Sequence, residues 1–271
     1  MRPGAGSLSA GLALALLALL AVGALAGCAG KPKVTLPVQE RQTTRADLPE
    51  AAKYNVELGI AYMDRGDLAL AKDRLDRAEK EAPHDPMVHS ALALLYERLE
   101  QPNDADREFH TAMKLAPQDP KLANNYAVYL CGTHRIDEGV KLLLQTAHNP
   151  LYETPEAAYT NAAVCLRSVH RDAEAKAALL RAIALRPSFG EAVLQLATLE
   201  VQEGHAREAR TRIDRYVETY QATPDLLALG MRISRALHDP FGEHRYEQRL
   251  RTDFPESPQT HALTQASPGA G

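Results

Sequence analysis

Residues 52–85, AKYNVELGIAYMDRGDLALAKDRLDRAEKEAPHD, are followed at once by residues 86–119, PMVHSALALLYERLEQPNDADREFHTAMKLAPQD. Both segments are 34 residues long and align without a gap. Leu58 stands over Leu92, Gly59 over Ala93, Ala71 over Ala105, Leu75 over Phe109 and Pro83 over Pro117. The pattern runs on. Unit starts at Ala52, Pro86, Pro120, Glu156, Gly190 and Pro224 are separated by 34, 34, 36, 34 and 34 residues. Position eight carries Gly59, Ala93, Ala127, Ala163, Ala197 and Met231; position twenty carries Ala71, Ala105, Gly139, Ala175, Ala209 and Glu243. Small residues at these two places let a pair of antiparallel helices approach closely. Larger apolar residues at positions seven and twenty-four (Leu75, Phe109, Leu143, Leu179, Ile213) fill the space between them. A proline near the end of most units cannot continue a helix and so stops the second one.

A 34-residue period with this small–large–Pro order is the signature of the tetratricopeptide repeat. The expected fold is all-α, a tetratricopeptide superhelix of six helix-turn-helix units over residues 52–257. The first two units match best, and the sixth keeps only its proline and its length. The two extra residues before the fourth unit fall in HNPLYETPEAA, which reads as a longer loop. Residues 258–271, rich in Pro, Gly, Ser and Thr, read as a disordered tail.

Ahead of the repeats, Leu8 to Ala26 is almost wholly apolar, and Arg2 is the only charge before position 31. That length could cross a bilayer. The run instead ends in Leu25-Ala26-Gly27-Cys28, a small-residue cleavage site of secretory type. It resembles the lipobox of bacterial lipoproteins, which implies removal of residues 1–27 and acylation of Cys28. In such lipoproteins an Asp after the Cys retains the protein at the inner membrane. Ala29 therefore implies the outer membrane, with the chain lipid-anchored on the periplasmic face. Residues 28–51 then form the lipidated Cys and a flexible tether.

Composition narrows the function. Thirty-one basic against 35 acidic residues give a net charge of −4, without the basic stripe that nucleic-acid binding needs, so no nucleic acid is expected as a partner. No nucleophile elbow, zincin motif, P-loop or dinucleotide fingerprint is present. The carboxylates sit beside Arg and Lys on helix surfaces, and neither catalysis nor a cofactor is expected. His134, His170 and His238 fall at position fifteen of their units and His205 at position sixteen of another, in the turn between helices. Gly66 and Gly204 share the position-fifteen slot. The histidines therefore read as turn residues at positive φ, not as metal ligands.

In tetratricopeptide proteins the first helix of each unit lines a groove, mainly through positions two, five, nine, twelve and thirteen. Position nine reads Ile60, Leu94, Val128, Val164, Thr198 and Arg232; position five includes Val56, Asn124 and Thr160. The expected groove is apolar along the first four units, with Asn124 and Asn161 as a polar patch at its mouth. Its rim carries Lys53, Glu97, Lys121 and Arg167. It suits an extended or helical peptide of a partner protein. Position nine could equally be covered by the neighbouring helix as core. Cys131 and Cys165 lie 34 residues apart on consecutive first helices. They are a candidate disulfide in an oxidising periplasm, the alternative being two buried thiols.

The lipobox, the six units, the run Asn124-Asn125-Tyr126-Ala127-Val128-Tyr129-Leu130-Cys131, the echo Asn161-Ala162-Ala163-Val164-Cys165 and the ending Phe254-Pro255-Glu256-Ser257 together resemble the type IV pilus biogenesis/stability lipoproteins (PilF/PilW). Such proteins are pilotins, which bring the secretin subunit to the outer membrane and promote its multimerisation. The resemblance implies a non-enzymatic outer-membrane lipoprotein with the type IV pilus secretin subunit as partner. The alternative is an outer-membrane tetratricopeptide scaffold for other envelope proteins, such as cell-wall enzymes.

Overall fold

The computed structural model describes residues 49–265. Cys28 and the greater part of the expected leader and tether lie outside them. Among the described residues the regular elements are all helices, paired as α1 (Glu50–Arg65) with α2 (Leu68–Glu81), α3 (Pro86–Arg98) with α4 (Pro102–Leu115) and α5 (Pro120–Gly132) with α6 (Ile136–Ala147). The series continues with α7 (Pro155–Arg167) and α8 (Asp172–Leu185), α9 (Gly190–Gln202) and α10 (Ala206–Thr219), and α11 (Pro224–Ala236) and α12 (Pro240–Asp253). A thirteenth helix, α13 (Pro258–Gln265), follows. Each hairpin packs on the next, and consecutive first helices touch along one row from α1 to α13.

Local chemistry sets the boundaries. Pro86, Pro120, Pro155 and Pro224 open first helices at a place where no N–H partner is needed. Asp85 accepts from the Met87 N–H at 2.8 Å, and Asp119 accepts from Lys121 and Leu122, satisfying first-turn donors. Every first helix of a hairpin ends the same way. The residues at position fifteen (Gly66, Glu100, His134, His170, Gly204, His238) all have φ between 54° and 86°. The next residue's N–H returns to a carbonyl five back, as in Asp67→Tyr62, Gln101→Tyr96, Arg135→Leu130, Arg171→Leu166, His205→Glu200 and Asp239→Ser234. This is the Schellman stop, repeated six times. His134, His170 and His238 thus occupy left-handed turn positions, whereas His205, one residue past its turn's Gly204, has a φ of −92° and stands just before α10, so the expectation of a positive φ is corrected there.

Within each hairpin the small residues face large ones as the period requires. Ala71, Ala105, Ala175 and Ala209 are fully buried, as are Leu75, Leu143, Leu179 and Ile213, with Phe109 all but buried. A Cβ added at Gly59 would stand 2.7 Å from Leu75 Cγ, so that crossing admits no side chain.

Two expectations need correction. The sixth unit keeps more than its proline, because its packing frame sits one residue earlier than its turn frame. Gly230, not Met231, meets the second helix, where an added Cβ would fall 2.5 Å from Tyr246 Cζ. Gly242 takes the place assigned to Glu243, and Tyr246, buried, fills the space that the position-twenty-four residues fill in the earlier units. The Tyr246 ring is wide enough to demand a glycine opposite, and that demand sets the phase. The expected tail at 258–271 likewise begins with a helix. Pro258 stands 34 residues after Pro224, and Ser257 Oγ accepts from the Thr260 N–H at 3.2 Å. Thr260 Oγ1 donates to Phe254 O at 2.7 Å and to Leu250 O at 3.1 Å, while Leu263 packs on the last core cluster. α13 therefore extends the row of first helices and covers apolar surface that α11 and α12 would otherwise expose.

The specific run in the third and fourth units staples repeats together. Cys131 and Cys165 are joined by a disulfide that links α5 to α7, with Cα atoms 5.5 Å apart. Asn161 Nδ2 donates to Asn124 Oδ1 at 3.1 Å across the same two helices. Tyr126 and Tyr129 pack at a tilt against Phe109 of the second unit, with ring centroids 5.3 and 5.0 Å from it. The Tyr129 hydroxyl donates to Pro102 O at 2.7 Å. At the carboxyl end, the Tyr246 hydroxyl donates to Asp214 at 2.6 Å, and burial pushes that hydroxyl above its ordinary pKa, keeping it a donor.

Candidate interaction groove

The row of first helices presents position nine outward. Ile60 is 38% exposed, Val128 43% and Val164 46%, while Leu94 between them is half-buried against neighbouring side chains. Three aliphatic side chains open to solvent along one row are a surface with unfilled apolar contact area.

Position five behaves differently, and the expected groove residues Val56 and Thr160 are corrected here to core. Val56 is 6% exposed and belongs to the first apolar cluster; Thr160 is 3% exposed, with its hydroxyl donating to Glu156 O at 2.8 Å. Four residues advance a helix by slightly more than one turn, leaving positions five and nine about 40° apart around the axis. That rotation turns position five toward the adjoining first helix and position nine away from it. Asn124 and Asn161, expected as a polar patch, are half-buried and bonded to each other, so their polarity is spent between helices. Of the expected rim, Lys121 lies 4.0 Å from Glu153, and Arg167 bonds two glutamines further along the row.

The last units form a concavity that the sequence reading did not include. A groove of about 520 Å³ lies between α7, α9, α11 and α13, floored by Leu194, Ala228, Met231 and Leu263 and flanked by Arg167 and Arg232. Its wall on one side is α13, the helix expected to be disordered. Arg167 donates to Gln195 Oε1 at 2.5 Å and to Gln202 Oε1 at 2.9 Å. Gln259 Nε2 donates to Asp225 Oδ1 at 2.6 Å, tying α13 to α11. A continuation of the repeat period to Pro258 was the available signal for this wall.

One cluster elsewhere has metal-like composition. Ligand atoms of Glu79, His89 and Glu108 lie within 4.8 Å of one another. His89 Nδ1 and Glu108 Oε2 are hydrogen-bonded at 2.8 Å, His89 Nε2 lies 3.0 Å from Pro83 O, and Arg107 Nε donates to Glu108 Oε1 at 3.3 Å. Both imidazole nitrogens and both Glu108 oxygens are therefore engaged by protein groups. The pair joins α3 to α4 and to the turn before α3.

Paired helices in a 34-residue register, six Schellman stops and an open row of first helices define a tetratricopeptide repeat protein, a scaffold class built to hold other polypeptides. The chain is homologous to the Type IV pilus assembly protein PilF of Pseudomonas aeruginosa, with 27% identity over 243 residues, spanning 90% of this chain and 94% of that protein. Among solved structures it resembles PilW, described as a widely conserved type IV pilus biogenesis factor, with a TM-score of 0.61 and 26% identity over 80% of this chain and 99% of that one. It shares the fold of Pseudomonas aeruginosa pilF, with a TM-score of 0.59 and 24% identity over 80% of this chain and 98% of that one. No family model matches the chain.

Proposed function

We propose that this chain is a type IV pilus assembly factor, acting as an outer-membrane lipoprotein that brings the secretin subunit to its membrane and promotes its multimerisation. The observation that carries the reading is homology to a pilus assembly protein along nearly the whole of both chains. Cys28, at the end of an apolar leader, supplies the membrane affinity once acylated; several acyl chains at one end make a stable anchor. The open row of Ile60, Leu94, Val128 and Val164 supplies apolar contact for a segment of the secretin subunit. The mechanism needs no bond chemistry: one end partitions into the membrane, and the other holds a partner until it inserts.

Deleting the gene should leave secretin monomeric and abolish surface pili. Replacing Cys28 by Ser should leave the protein folded but release it from the membrane fraction. Secretin multimers that persist unchanged in the deletion strain would defeat the pilotin reading.

A further inference from the structure

Position nine changes chemistry along the row: Ile60, Leu94, Val128 and Val164 are aliphatic, then Thr198 and Arg232 follow. The change coincides with the groove between α7 and α13. Most arginines of the last three units meet carboxylates, among them Arg171, Arg186, Arg210, Arg212 and Arg235. The two at this groove do not. Arg167 is held by two neutral amides, which fix its guanidinium without cancelling its charge. Arg232 is exposed and has no hydrogen-bond or ion-pair partner among the described residues. Asp225, the carboxylate lining the groove, likewise keeps its charge, its Oδ1 accepting from the neutral Gln259 amide, so the groove carries two guanidinium groups against one carboxylate. A net positive charge, carried by two guanidinium groups that no carboxylate pairs with, above a floor of Leu194, Met231 and Leu263 makes a surface complementary to negative charge interleaved with apolar side chains.

We propose that this groove binds an extended, acidic segment of a partner polypeptide, at a site separate from the aliphatic row of the first four units. Adjacent first helices stand about 9 Å apart, so α7 to α13 spans roughly 27 Å, the length of about eight extended residues. Carboxylates of that segment take charge-assisted hydrogen bonds from Arg167 and Arg232, and its apolar side chains rest on the floor. Arg167 is pre-positioned by Gln195 and Gln202, which reduces the ordering cost of binding. α13 is part of the site, because Leu263 and Gln259 form one wall. The inference rests on the geometry of the last units and stands whether or not the pilus partner is the secretin.

The test is selection of a random octapeptide library displayed on phage against the immobilised full chain. Recovered peptides are then synthesised with a fluorophore and titrated by anisotropy. Enrichment of Asp and Glu with interspersed aliphatic residues is expected. Affinity should fall at least fivefold in Arg232→Ala and Arg167→Ala, recover in part in Arg167→Lys, and fall about tenfold between 50 and 300 mM salt. Val128→Glu should leave it unchanged. No enrichment, enrichment of neutral or basic peptides, or acidic peptides whose binding both arginine variants leave intact would each overturn the proposal. Acidic peptides displaced by Val128→Glu instead would also overturn it, by moving the site to the other end of the row.

Discussion

Gly66 and Glu100 occupy the same turn in consecutive repeats, with φ of 82° and 57°. An L-residue in that region carries a steric cost of about 1 kcal/mol, and nothing lies within 4 Å of a Cβ placed at Gly66. Gly66→Ala should therefore lower stability by about 1 kcal/mol in urea denaturation, through conformation alone. Glu100→Gly should raise it by a smaller amount, because glycine also gains freedom in the unfolded chain. The histidines at this position were legible in the sequence as turn residues because Gly66 and Gly204 share their slot; Glu100 was not, since nothing in its side chain signals a left-handed backbone. Cys131 and Cys165 close a loop of 34 residues. Reduction, or Cys131→Ala with Cys165→Ala, should cost about 4 kcal/mol on the chain-entropy estimate. Thiol labelling of the denatured, unreduced protein carrying Cys28→Ser should find no free thiol, and two labelled cysteines would contradict the bridge. Register made Cys131 and Cys165 a candidate pair beside the alternative of two buried thiols, while the Asn124–Asn161 bond next to them was not legible at all. Polar residues on a first helix look solvated until the neighbouring helix is in place.

At the level of single elements, the sixth hairpin separates two frames that coincide in the others. His238 fixes its turn in step with the earlier repeats, whereas Gly230 and Tyr246 fix its packing one residue out of step. Aligning by turn position hid this, and only the crossing itself shows which residue must lack a side chain. Gly230→Ala should cost roughly 1–3 kcal/mol by overpacking against the Tyr246 ring, read as a lowered denaturation midpoint. α12 is capped by Asp239, whose carboxylate accepts from the Gly242 N–H at 3.0 Å and from Arg210 at 2.9 Å. These donors, the backbone N–H foremost, hold its pKa below the ordinary aspartate value. A group depressed in the folded state stabilises it above the unfolded-state pKa, and the contribution is lost as pH falls through the folded one. Asp239→Asn should therefore lower the melting temperature at neutral pH and narrow its gap from the parent protein as the medium becomes acidic. The helix α13 is the element composition misled about most. Pro, Ser and Thr suggest disorder when counted, yet Ser257 and Pro258 in that order are a helix start one period after Pro224. Truncation after Ser257 should lower the melting temperature by several degrees and remove the wall of the carboxyl-end groove.

Across the repeat array, each repeat touches only its neighbours, so cohesion depends on what crosses each junction. The middle junctions carry the Phe109–Tyr126–Tyr129 cluster, the asparagine pair and the disulfide; the last carries Arg210, Asp214, Asp239 and Tyr246. The runs Asn124–Cys131 and Asn161–Cys165, on which part of the sequence resemblance rests, thus hold repeats two to four in register. The open apolar row proposed to bind a partner includes Val128 and Val164 of the same helices. Period and residue size made the architecture legible in the sequence. The placing of Val56 and Thr160 in the core and of Ile60, Val128 and Val164 at the surface was not, because it depends on the rotation of each first helix against the next. Val128 and Val164 are open to solvent, so glutamates there should leave the fold intact while removing the apolar contact a partner would use. The most direct test of the account is complementation of the deletion strain with the Val128→Glu/Val164→Glu double variant, followed by a semi-denaturing immunoblot for secretin. The account predicts a variant present at parental levels and unchanged in melting temperature, with secretin remaining monomeric. Full recovery of secretin multimers by that variant would contradict it.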